Sequence, residues 1–146
     1  MSLKKRAKAQ SQIPWQNKSP TGFWIASYLE RCEVKGENRT NPRRRCLAWE
    51  NTIIFQARDR EAAYRKAIRL GRNGNTRSWY GTGSNGQGKA RWVFEGLTDL
   101  LPVYDDLEDG AELFYRAHHS RSVATIKKLV KPKRSLSVFR DAQDAV

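Results

Sequence analysis

Cations are the residues of this chain best suited to chemistry, because every other grouping lacks the spacing its chemistry needs. Gly81-Thr82-Gly83-Ser84-Asn85-Gly86 satisfies G-x-G-x-x-G. That pattern cradles a pyrophosphate when a strand precedes it and a helix begins at it. Here Lys89-Ala90-Arg91-Trp92-Val93-Phe94 follows, which has strand character, so the segment reads as a hairpin turn with Asn85-Gly86 at its tip. A kinase-like glycine loop does lie between strands, but no lysine strand or catalytic loop accompanies this one. His118 and His119 are adjacent and would point to opposite faces of a strand. Adding Cys32 and Cys46 makes four potential ligands without the C-x2-C or H-x3-H spacing of a zinc site. Asp105, Asp106, Glu108, Asp109 and Glu112 form an acidic cluster that lacks the glycine and glutamate positions of a calcium loop. With no G-x-S-x-G elbow and no Cys-His pair in a recognisable setting, the chain is expected to be non-enzymatic, with no cofactor and no metal.

The cations fall into four groups. Lys4, Lys5, Arg6 and Lys8 open the chain. Arg39, Arg43, Arg44 and Arg45 share a loop, and Arg65, Lys66, Arg69 and Arg72 recur along a helical segment. Lys127, Lys128, Lys131, Lys133 and Arg134 lie near the end. Each group alone suits an ordinary solvated surface. Together they point towards a polyanion, with Trp79, Tyr80 and Trp92 as stacking candidates near the glycine-rich turn.

The elements that must position these groups follow from periodicity. Phe23 to Cys32 is rich in aromatic and β-forming residues and reads as a strand. Leu47 to Ala57 alternates, with Leu47, Trp49, Ile53, Phe55 and Ala57 on one face. Between them, Gly36, Asn38, Asn41 and Pro42 mark the loop that holds the arginines. Asp59 caps a following helix, and Gly71 or Gly74 ends it. Ala63, Tyr64, Ala67, Ile68 and Gly71 form its apolar side. Trp79-Tyr80 and Ala90–Glu95 are expected to pair as a hairpin, Leu97–Tyr104 to be extended, and Ala111–Ala117 to form a last strand. Val123, Ile126 and Val130 permit a short C-terminal helix that Pro132 would end. The expected class is α+β: a mainly antiparallel sheet of about five strands with one principal helix on one face, in the order β-β-α-β-β-β.

Charge divides the chain of 146 residues the same way. The formal net charge is +13, yet residues 13–119 hold 17 basic and 13 acidic side chains. Most of the excess lies in residues 1–12 and 120–146. We therefore expect a flexible basic arm over residues 1–21, an α+β domain over 22–119 and a basic extension over 120–146. No run approaches the roughly 18 apolar residues of a membrane span, and no apolar region follows the first lysines as in a secretory signal. Two cysteines in such a chain are expected to be reduced, and the expected location is the cytoplasm of a bacterium.

Four pieces of this pattern, in order, resemble a bacterial family catalogued as domain-of-unknown-function family 4288. They are Arg31-Cys32-Glu33, Phe55-Gln56-Ala57-Arg58-Asp59-Arg60-Glu61-Ala62-Ala63, Trp92-Val93-Phe94-Glu95-Gly96-Leu97 and Leu107-Glu108-Asp109-Gly110-Ala111-Glu112-Leu113. The resemblance covers about residues 22–119 and implies a small α+β domain with no assigned activity. The arginine-rich loop at 39–45 and the long basic ends depart from the family pattern.

The function expected from the residues is binding of nucleic acid or another polyanion, mainly through phosphate. The alternative is a protein-interaction or immunity-type accessory module, acting through a sheet face or edge on a partner or a second copy of the chain. No membrane association is expected.

Overall fold

The computed structural model describes residues 13–74 and 89–140. Lys4, Lys5, Arg6, Lys8, the expected Trp79-Tyr80 strand and the glycine motif lie outside the described residues. The chain divides into two compact units, Met1–Phe114 and Tyr115–Val146.

The first unit is built on three antiparallel strands in the order β2-β1-β3. Strand β1 (Phe23–Val34) is central, with β2 (Ala48–Gln56) on one side and β3 (Ala90–Pro102) on the other. Both outer strands run opposite to β1, so they are parallel to each other. Parallel strands need a crossover, which here contains helix α1 (Arg60–Asn73). Asp59 caps this helix by accepting the Ala62 N–H at 2.8 Å, and Gly74 ends it.

Small residues on α1 bring it close to the sheet. Ala63, Ala67 and Gly71 are its buried positions, and they face Trp24, Ala26 and Phe55, with Ile53, Leu70, Leu97 and Leu100 packed around them. A Cβ added at Gly71 would collide with the Phe94 ring, so glycine is required by proximity. Tyr64, expected on the apolar side, is exposed instead. The Trp24 indole N–H donates to the Ala57 carbonyl at 3.0 Å, which satisfies its polar atom inside the core.

Among the described residues the sheet has three strands in place of the expected five, and the order β-β-α-β-β-β is not found. The separate extended segments expected at 90–95 and 97–104 form a single strand from Ala90 to Pro102. Gly96, at φ +154°, carries the chain onward between two register shifts opposite Ser27/Tyr28 and Leu29/Glu30. Each shift leaves one β3 residue out of the ladder, Thr98 and Glu95. Two such bulges cancel in phase, so Leu97 turns into the core while Thr98 bonds Glu50 at 2.8 Å on the opposite face. The alternation at 111–117 produces no strand. Leu113, Phe114 and Tyr115 are all exposed, so neither parity has a buried face to hold.

The segment that precedes β1 is tied down from Trp15 onward. Trp15–Asn17 forms a 3-10 turn, and the Trp15 ring lies 5.8 Å from that of Tyr104, whose hydroxyl donates to the Gln16 carbonyl. Ser19 donates to Phe23 O at 2.6 Å, and Thr21 donates to Val103 O at 2.9 Å.

In the second unit, helix α2 (Val123–Lys127) is capped by Ser122 and followed by 3-10 turns at Lys133–Ser135 and Ser137–Phe139. It contains no buried residue among those described.

Gly71→Ala tests the helix approach. Over-packing against Phe94 costs about 1–3 kcal/mol, and the gain in helix propensity returns about 1 kcal/mol. A net loss of about 1 kcal/mol is expected in chemical denaturation. A stabilised variant would show that Phe94 steps aside.

Candidate nucleic-acid interface

The loop between β1 and β2 is the first place where the structure sorts the cations. Its turns are local: Asn38 Oδ1 accepts from the Thr40 N–H and hydroxyl, and Asn41 Oδ1 accepts from the Arg43 N–H at 3.0 Å. These Asx turns fold the loop back over the end of β1, where Glu33 is only 3 % exposed.

An isolated buried carboxylate would be costly. Glu33 has three guanidinium partners. Arg39 Nε lies 2.9 Å and Arg91 Nη2 3.0 Å from its Oε1, and Arg31 Nη1 lies 3.3 Å from its Oε2. The ladder explains two of these partners, since Glu33 stands directly opposite Arg91 and Arg31 is two residues back on the same face. Arg31 also bonds Glu95, the residue released by the second bulge. Glu37 holds Arg31 at 3.8 Å and Arg44 at 3.6 Å, while Arg44 Nη1 donates to the Arg39 and Asn41 carbonyls.

Burial would raise the Glu33 carboxyl pKa. The hydrogen bond and charge of Arg91, then the charges of Arg39 and Arg31, outweigh that effect and hold it below its ordinary value of 4.5. Burial likewise opposes the charge on Arg31, but Glu95 and then Glu33 hold its pKa above the ordinary value. Both groups are charged at neutral pH, and the network is a set of internal ion pairs.

The four loop arginines therefore separate. Arg39 and Arg44 are bound to the protein's own acids, whereas Arg43 and Arg45 are exposed and have no acidic partner among the described residues. On α1, Lys66 donates to Gln56 O at 2.8 Å and lies 6.0 Å from the centre of the Phe55 ring. Arg72 lies 6.0 Å from the centre of the Phe94 ring. Arg65 and Arg69 are exposed. The helix packs on the face that holds Trp24 and Phe94, and Glu33 belongs to the other face by strand alternation. The Glu33 ion-pair cluster and the helix cations are thus on opposite sides of the sheet. Lys127, Lys128, Lys131, Lys133 and Arg134 are exposed in the second unit, with Lys133 5.0 Å from the centre of the Phe139 ring.

Of the stacking candidates, Trp79 and Tyr80 lie outside the described residues. Trp92 is half-buried, and its ring centroid lies 6.1 Å from that of Trp49. Alternation assigns Trp49 to the core face. It does lie on that face, yet it is 52 % exposed because α1 does not reach it. Nothing in local periodicity reports where a helix stops covering a sheet. The Glu33 network had a visible signal: acids at 33 and 37 immediately precede a run of four arginines at 39 and 43–45.

Other candidates are accounted for. The cysteines are free. Cys32 N–H bonds Leu47 O at 2.8 Å, so the register brings Leu47, not Cys46, opposite Cys32. A cleft of about 260 Å³ beside the start of α1 is lined by Lys18, Arg58 and Arg60 among others. Its anion position is already taken by Asp59, which fills the helix cap. Among the described residues, no helix is long and apolar enough to cross a membrane.

Glu33→Gln tests the network. It leaves guanidinium groups with a weaker acceptor and is expected to cost about 2 kcal/mol at neutral pH. A folded pKa below the ordinary one means that Glu33 stabilises the fold above the ordinary carboxylate range. That contribution fades as pH falls through the folded value. The loss of stability on acidification should therefore be smaller in Glu33→Gln than in the wild type, as read by denaturation at neutral and acidic pH. Arg39→Gln should also destabilise, and Arg43→Gln should not.

Residues 23–115 match the family described as "Domain of unknown function (DUF4288)". No curated protein and no solved structure matches the chain. The matched span begins with β1 and includes α1, β3 and the acidic turn after it. It covers well over half of the 146 residues, and the chain belongs to the DUF4288 family.

Proposed function

We propose that this chain is a non-enzymatic binder of nucleic acid or a related polyanion, and that its contacts are mainly to phosphate. One observation carries the reading: residues 117–140 hold Arg121, Lys127, Lys128, Lys131, Lys133, Arg134 and Arg140 and no Asp or Glu. Cations without internal acids keep their charge for an external partner, and a polyanion releases counterions on meeting them. Arg43 and Arg45 add to this from the first unit, because Glu33 and Glu37 neutralise Arg39 and Arg44 and leave those two free.

Such contacts carry position and little sequence information. A salt titration is the test. Log affinity for an oligonucleotide should fall linearly with log salt. Replacing Lys127, Lys128, Lys131, Lys133 and Arg134 with Gln should make the slope shallower, by about 0.7–0.9 for every phosphate that is no longer neutralised. Undetectable binding at low salt, or a slope untouched by these five changes, would sink the proposal.

A second reading, docking to a protein partner or a second copy, is favoured by the sheet edges. The outer edges of β2 and β3 have no strand neighbour among the described residues, and open edges accept added strands. Sedimentation separates the readings, since a second-copy interface gives a dimer without nucleic acid.

A further inference from the structure

We propose that the Trp49–Trp92 patch is a base-stacking site, and that it directs this chain to single-stranded nucleic acid in preference to duplex. The inference rests on the polyanion reading above and deepens it by naming the substrate class.

The patch exists because α1 is shorter than the sheet it covers. The helix ends at Gly74, beside the Tyr28 hydroxyl, and Gly71 meets the Phe94 ring. Trp92 is two residues further along β3, roughly 7 Å beyond that contact, and Trp49 stands beside it across the end of β1. The two rings are tilted by 47° with centroids 6.1 Å apart. Trp92 is half-buried and buttresses Trp49, whose ring is open to solvent. An indole held on a strand and backed by a second indole is a rigid π-surface that loses little entropy on binding.

Its electrostatic setting selects the occupant. The chain enters β2 through Arg43, Arg44, Arg45 and Cys46, and Arg43 and Arg45 are its exposed, unneutralised cations. Residues two apart in an extended chain share a face, so Arg45 and Leu47 lead towards Trp49 along one side of this segment. An acid on this face, Glu30, stands opposite Trp49 in the ladder and accepts the Asn51 amide at 2.8 Å. Phosphates would follow the arginine side, away from Glu30, while a base covers Trp49. An aromatic platform beside free arginines is how sequence-tolerant single-strand binders work. A duplex has its base faces occupied by its own stack and offers this patch only phosphate.

The test uses the full chain with a labelled oligothymidylate and a duplex of equal length, read by fluorescence anisotropy at one salt concentration. The wild type should bind the single strand more tightly. Trp49→Ala should weaken that binding by about tenfold and leave duplex binding unchanged, while Trp49→Phe should retain most of it. Because Trp49 is an exposed edge-strand residue, a circular dichroism melt confirms that each variant is folded. Trp49→Thr, which keeps strand propensity but has no ring, should lose the same single-strand binding and answers the question if alanine unfolds. Equal wild-type affinity for both forms, or single-strand binding unchanged in Trp49→Ala, overturns the stacking site and leaves the phosphate-binding proposal standing. If neither nucleic acid binds at low salt, both proposals fall.

Discussion

Strand β1 is hydrogen-bonded along both edges, and the rest of the domain is placed by it. Among the described residues it is the only strand with a strand partner on either side. Its even-numbered residues from Trp24 to Tyr28 receive the helix, and its odd-numbered residues at the far end carry Arg31 and Glu33. The core and the ion-pair network are thus two faces of one strand. Moving its register by one residue would exchange them, turning Trp24 and Ala26 away from α1 and Arg31 and Glu33 away from their partners on the other face.

Acid placement decides which cations are available. Glu33, Glu37 and Glu95 draw Arg31, Arg39, Arg44 and Arg91 into a partly buried cluster that closes the end of the sheet. Such pairs contribute little net stability compared with apolar packing, and losing one member is costly. Their main effect is to pin the loop. What remains free, Arg43 and Arg45 on the loop and the cations of the acid-free run over residues 117–140, is a smaller and better-defined set than composition suggests.

Much of the local structure could be read in advance because its causes are local. Asp59 as a cap, the Ala63, Ala67 and Gly71 stripe, and the alternation of Trp49, Ile53 and Phe55 all follow from short-range geometry. The strand count did not. Gly96 resembles a turn signal, yet β1 supplies a continuous partner on both sides of it, and the chain takes a bulge instead. The alternating run at 111–117 has strand composition but no buried face. A pattern of period two permits a strand, and only a paired edge makes one.

The sequence by itself determined the family, the α+β class, the helix and its cap, and the concentration of uncompensated charge towards the ends of the chain. These depend on residue types and on neighbours within a few positions. Tertiary structure decided which arginines are neutralised, since Glu33 meets Arg91 across 58 residues through the ladder. It also decided that Trp49 is open, because exposure on a core face depends on where a helix ends relative to a strand far from it in the chain.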